Sequence, residues 1–257
     1  MHQSNLYASQ HGRNLNLSVE EFLGLLGIMI YSGYRPVHGK YQLWSNEDDV
    51  SFKWAKDLMP KNRMVEILQN LHLANNYEIE TSDPYYKVRP LFEHLNRSFV
   101  QSMPMNENLS VDEIMVPYFG RHGTKQYIRG KPIRYGYKLW ALASSTGYLY
   151  SVEPYCRSST LLPASGNGMG YDVVMGLAEK AELNEGHYLY FDNLFTSLGL
   201  LDRLTEKKLE VAAQFEKIEW KVHHCRVGKS LKRRREVPPS GLQMVKTFFS
   251  GGMTIKQ

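Results

Sequence analysis

The sequence predicts an α/β protein, with a helical N-terminal region over residues 1–105 and a mixed-sheet core over residues 106–212. Three observations predict it. Apolar residues recur at three-and-four spacing through the first hundred positions. Near Asn108 the pattern switches to short runs rich in Val, Ile and Tyr. A helix, a strand and a helix then follow in turn.

The first predicted helix, "LSVEEFLGLLGIMIYSGY", opens with Ser18 as N-cap and Glu21 three residues later, the spacing of a capping box ahead of an apolar run. "PKNRMVEILQNLHLAN" sets Met64, Ile67, Leu68 and Leu71 on one stripe. "RPLFEHLNRSFVQSM" does the same with Leu91, Phe92, Leu95 and Phe99, and each has a proline near its start. Trp44 and Trp54 are expected to anchor this helical packing. "NLSVDEIMVPYF", "YGYKLWALASS" and "GYLYSVEPY" read as strands, separated by Gly-Lys-Pro and Ser-Thr-Gly turns. "GYDVVMGLAEKAEL" reads as a helix, "HYLYFD" as a strand and "LFTSLGLLDRLTEKKLE" as a helix.

With 42% hydrophobic residues among 257, the chain can bury one sizeable core or two modest ones. Its longest apolar run is too short and too Gly-interrupted to span a bilayer, and the N-terminus lacks a signal-peptide plan. A soluble intracellular protein with no membrane partner is therefore expected. Cys156 and Cys225 lie far apart without CxxC spacing, which excludes a disulfide framework and a Cys-rich zinc site and leaves two free thiols. The formal charge is +5, but residues 213–257 hold ten Lys and Arg against three Glu, so the preceding 212 residues carry −2. DNA binding must rest on a local patch in that acidic body, not on the total charge.

Two carboxylates stand out. Asp112 lies on the first predicted strand and Asp192 ends the strand after the intervening helix. With those strands as neighbours the two face one another at one sheet edge, where they repel unless a cation separates them. Hard oxygen ligands suit Mg²⁺ or Mn²⁺, and a pair of ions about 4 Å apart clamps the attacking and leaving oxygens of phosphodiester displacement. Spacing alone equally allows Asp192 with Asn193 to cap the next helix and Asp112 to be a surface strand residue.

Between them, "RHGTKQYIRGKPIRYGYK" holds six basic residues, Arg121, Lys125, Arg129, Lys131, Arg134 and Lys138, interleaved with Tyr127, Tyr135 and Tyr137. No Asp or Glu occurs between residues 114 and 152. Cations so placed can neutralise phosphates, and the rings can stack on unpaired bases. A solvated basic hairpin is the other reading.

Five blocks in order resemble the transposase domain of the piggyBac family: "LSVEEFLGLLGIMIYSGY", "YKVRPLFEHLNRSF", "LSVDEIMVPYFGR", "IRGKPIRYGYKLWAL" and "LYFDNLFTSLGLLDRL". The resemblance covers about residues 3–212. It implies an incomplete ribonuclease-H-like core behind a helical dimerisation and DNA-binding region, with double-stranded DNA as partner, a homodimer and a nuclear location. In that family three aspartates hold the metal ions that cut DNA at transposon ends. Asp112 matches the first and Asp192 the second. The third, expected far downstream within a Gly-Gly-Val-Asp-like segment, is not in these 257 residues, nor is the family's Cys-rich zinc module. The resemblance therefore implies a DNA-binding transposase-like remnant without transposition activity. Two alternatives stay open: a working metal-dependent nuclease drawing its third carboxylate from Asp172 or Glu179, and a non-enzymatic dimerising interaction protein.

After Ala212 the resemblance stops. Back-translated and read from the third base of each codon, residues 214–225 permit a "VRxNRxExxPL" segment of the kind the family carries there, and "GGMTIKQ" permits "WYDNKA". Residues 213–257 are accordingly expected to be an out-of-frame, poorly ordered basic tail. It is set aside from the fold, although "KRRR" remains readable by nuclear import receptors.

Overall fold

The structure, a computed structural model, describes residues 1–34, 39, 41–47, 52–78, 82–156 and 162–213. The expectations for residues 214–257, including the free thiol of Cys225, lie outside the described residues. The chain divides into two compact units, one holding residues 1–91 and the other beginning at Phe92. Among the described residues no helix is long and apolar enough to cross a membrane.

The first unit contains helices α1 (His2–Gln10), α2 (Val19–Tyr34), α3 (Lys53–Leu58) and α4 (Lys61–Asn70). The capping box forms: Ser18 Oγ accepts from the Glu21 N–H at 3.2 Å, and Glu21 Oε2 accepts from the Ser18 N–H at 3.3 Å. Glu21 also takes the Arg63 guanidinium of α4 at 2.7 and 2.8 Å, which holds its carboxyl below the usual range. Leu25, Ile28, Leu43, Ala55, Met64 and Ile67 fill the core between these helices. Trp44 anchors this packing through its Nε1–H, which donates to the Met59 carbonyl at 2.7 Å. Trp54 packs edge-on to Tyr31 and to the buried Phe52, while staying 36% exposed. The buried Asp83 accepts from Arg89 Nε at 2.7 Å and from the Tyr85 N–H at 2.8 Å. On α2, Val19, Leu23, Leu26, Met29, Ile30 and Tyr34 remain exposed, so the helix is apolar around most of its circumference.

The second unit is built on strands β1 (Asn108–Pro117), β2 (Gln126–Tyr127), β3 (Tyr135–Ser144), β4 (Leu149–Pro154), β5 (Tyr188–Phe191) and β6 (Glu210–Ala213), with helices α5 (Arg89–Ser102), α6 (Met169–Lys180) and α7 (Leu198–Glu206). In the sheet β3 pairs antiparallel with β1, β2 and β4, whereas β5 runs parallel to β1, and β6 parallel to β5. By register, Leu109, Val111, Trp140, Leu142, Leu189 and Phe191 share one face. They form the core with Val173, Val174 and Leu177 of α6 and Leu200 and Leu204 of α7. Burying a side chain of this size contributes about 1.5–3 kcal/mol, so this face is what fixes the strand register.

Two features depart from the sequence reading. The last helix is shorter than its apolar pattern: it starts at Leu198 and ends at Glu206, where Lys208 adopts φ 56° and turns the chain back. The residues beyond then pair as β6, which periodicity alone did not reveal. On α5 the buried residue is not one of the apolar set but Asn96, whose amide accepts from the Val152 N–H at 2.9 Å and donates to the Val152 carbonyl at 3.0 Å.

Candidate functional site

The site starts from β1. Its buried Leu109 and Val111 point into the core, so alternation turns Asp112 to the opposite face, in register with Ala141 of β3. On the other side, Val111 pairs with Phe191 of parallel β5. Asp112 and Asp192 therefore each follow a residue of one register pair, at the same end of neighbouring strands.

The turn that carries Asp192 is tightly held. Its carbonyl accepts from the Phe195 N–H and the Thr196 hydroxyl, both at 3.1 Å. Phe195 is buried edge-on against Trp140, with ring centroids 5.3 Å apart. Gly170 of α6 presses on the same turn: a Cβ there would lie 2.8 Å from Phe195 Cα and 2.9 Å from the Leu194 carbonyl oxygen. The helix that follows is capped by Ser197, whose Oγ accepts from the Leu200 N–H at 3.3 Å. Asp192 is thus not the helix cap that spacing allowed, and its carboxylate is exposed.

Asp112 is half-buried. Its Oδ1 accepts the Glu113 N–H at 2.7 Å. Burial, reinforced by the neighbouring Glu113 charge, pushes its carboxyl up to about 6. Glu113, the next residue of β1, received no role from the sequence. Its Oε1 lies 3.2 Å from Lys131 Nζ and its Oε2 3.9 Å from Lys138 Nζ. Burial would raise the Glu113 carboxyl, but the charges of Lys138 and Lys131 outweigh it and hold the group below its usual range. The signal in the sequence was its position one residue outside the acid-free stretch.

The six basic residues divide into two sets. Arg121, Arg129 and Arg134 are exposed, beside the exposed rings of Phe119, Tyr127 and Tyr135. The other three are engaged within the fold. Lys125 Nζ donates to the Gly120 carbonyl at 3.1 Å and lies over the Tyr135 ring, Lys131 is paired with Glu113, and Lys138 Nζ lies 3.9 Å from the Trp140 ring centroid. Burial holds the Lys138 ammonium below its usual pKa. Tyr137 is half-buried and stacked on Tyr118. The close β1–β3 approach beneath this hairpin needs Gly136, since a Cβ there would fall 1.9 Å from the Val116 carbonyl oxygen.

The alternative third carboxylates are committed elsewhere: Asp172 Oδ1 accepts from the Ser165 N–H and hydroxyl, and Glu179 pairs with Lys207 at 3.2 Å. Among the described residues no three His, Cys, Asp or Glu side chains gather as a metal site. The Asp112 and Asp192 oxygens have the hard character that Mg²⁺ or Mn²⁺ takes, yet two such ligands fit a divalent ion only in part.

Comparison with known proteins agrees with this architecture. A family described as Transposase IS4 matches residues 1–222. The human PiggyBac transposable element-derived protein 3 is 40% identical over 204 residues, 79% of this chain and 34% of that protein. The human PiggyBac transposable element-derived protein 2 is 33% identical over 229 residues, 88% of this chain and 38% of that protein. The chain thus spans about a third of the length of these relatives. A cryo-EM structure of a piggyBac transposase synaptic complex with hairpin DNA superposes with a TM-score of 0.70 at 20% identity, over 92% of this chain and 50% of that one. That likeness places the mixed sheet in the ribonuclease-H-like fold.

Proposed function

Because the chain belongs to the piggyBac transposase family, we propose that it is a nuclear, transposase-derived protein that grips double-stranded DNA through the β2–β3 hairpin. We propose further that these 257 residues by themselves do not transpose DNA. The observation that carries the binding reading is the hairpin itself. Arg129 and Arg134 of the hairpin, with Tyr127 and Tyr135, stand exposed, as do Arg121 and Phe119 of the β1–β2 connection, and β3 pairs with the strand that bears Asp112. The solved relative of the same fold was captured with hairpin DNA, which supports DNA as the partner. The inactivity reading rests on the carboxylate count: Asp112 and Asp192 supply two ligands where the family's chemistry uses three, and removing one member of a group that acts as a unit abolishes most of its activity. Self-association through the helical unit belongs to the same reading, since it would cover exposed α2 residues such as Leu23 and Ile30; light scattering tests it.

The binding test is the salt dependence of duplex affinity, measured by fluorescence anisotropy on the 257-residue chain. Each phosphate contact contributes about 0.9 to the slope of log K against log salt. Replacing Arg121, Arg129 and Arg134 together with Ala should therefore flatten the slope by about 3. An unchanged slope would leave the hairpin a solvated surface. Incubation of supercoiled DNA with Mn²⁺ tests the second half: no nicking is expected, and nicking abolished by Asp192→Asn would overturn it.

A further inference from the structure

We propose that Glu113 is a positioning residue that holds the β2–β3 loop in its DNA-gripping conformation; this rests on the DNA-binding reading of the hairpin. The β2–β3 connection, residues 128–134, carries Arg129 and Arg134 to the surface, and Lys131 between them turns inward. Its Nζ meets Glu113 Oε1 at 3.2 Å, although Glu113 lies well down β1, in register with Trp140, five residues past the Tyr127–Tyr135 pair that closes the loop. The loop therefore folds back over the sheet. Glu113 is only 15% exposed and also faces Lys138, itself 15% exposed and seated over the Trp140 and Tyr155 rings. One carboxylate thus ties the loop that contains Gly130, at φ 87°, to strand β1. A partly buried charge-assisted pair of this kind restrains geometry more than an exposed pair does.

The sign of one substitution separates this role from plain charge. Glu113→Gln removes a negative charge from a DNA-facing region, so long-range electrostatics alone makes binding tighter. A positioning role makes it weaker, by about threefold or more, with the salt slope falling by about 1–2 as the Arg129 and Arg134 contacts become intermittent. Hydrogen exchange on the free protein gives a reading that needs no DNA. The Ile128 amide, bonded to the Arg134 carbonyl at 2.9 Å, should exchange faster in Glu113→Gln, while amides of β5 and α6 keep their protection. Lys131→Gln, which cuts only the loop side of the pair, should speed the same amide and serves if Glu113→Gln does not fold. Faster exchange at Ile128 with weaker, flatter DNA binding supports the proposal. Unchanged exchange, or tighter or unchanged binding, overturns it. If the unaltered chain binds no DNA, the functional reading fails, and Ile128 exchange alone decides whether Glu113 holds the loop.

Discussion

Val111 and Phe191 are register partners on parallel strands, so the residues that follow them, Asp112 and Asp192, come at the same end of neighbouring strands. The fold places two carboxylates at neighbouring positions, one of them in a desolvating environment, and this has a cost that can be measured.

Asp112 has a carboxyl pushed up to about 6, against about 3.9 in an unfolded chain. A raised acid is charged less readily in the native state, so its ionisation opposes folding increasingly from the unfolded value up to the native one and by a constant amount above it, and the effect vanishes at about pH 3, where both states are protonated. Asp112→Asn should therefore stabilise the protein by about 1–2 kcal/mol at pH 7.5 and by nothing measurable at about pH 3. Urea denaturation at the two pH values checks this, and a destabilised variant at pH 7.5 would contradict it.

Asp83 is the opposite case. Burial works to raise its carboxyl, but hydrogen bonds from Arg89 and from the Tyr85 N–H, together with the Arg89 charge, prevail and set it below the ordinary aspartate value. Its contribution is present above about pH 4 and is lost as the pH falls through the lowered native value. Asp83→Asn takes the negative charge out of this ion pair, in which Asp83 is 1% and Arg89 14% exposed, and should cost about 1–3 kcal/mol at neutral pH. The acid limb of the stability curve should also flatten. Thermal unfolding between pH 2.5 and 7 measures both.

Gly170→Ala should loosen the turn that presents Asp192. The added methyl meets backbone atoms of residues 194 and 195, which cannot rotate away as a side chain does, so either α6 or the turn must shift. A cost of about 1–3 kcal/mol is expected, with faster hydrogen exchange at the Phe195 and Thr196 amides, whose bonds close the turn. Equal protection in the variant would show that the approach has slack.

Much of the architecture was legible because local chemistry and global fold agree. Ser18 and Glu21 announce the start of α2, the period change falls at Asn108 where β1 begins, and the strand ending at Phe191 hands over to Asp192 as its pattern implied. The residues that escaped act only through partners distant in sequence. Glu113 becomes a tie when Lys131 folds back onto it. Asn96 looks like a polar interruption of an apolar stripe until β4 lies beside it. β6 has too few residues to show a period, and its pairing with β5 is what makes it a strand. Counting six lysines and arginines likewise overstated the free charge, because a count cannot show that Lys125, Lys131 and Lys138 find partners within the fold.

Asn96 also changes what the sheet offers to other molecules. Strand β4 pairs with β3 on one side, and the outward N–H and carbonyl of Val152 are the groups another extended chain would use to dock. The Asn96 amide occupies both. A single helical side chain thus performs the work that a further strand or a row of lysines does in other sheets, closing an edge against intermolecular pairing. Asn96→Ala would free the Val152 N–H and carbonyl, the pair through which a further extended chain could join this edge, without altering any residue of the strand itself.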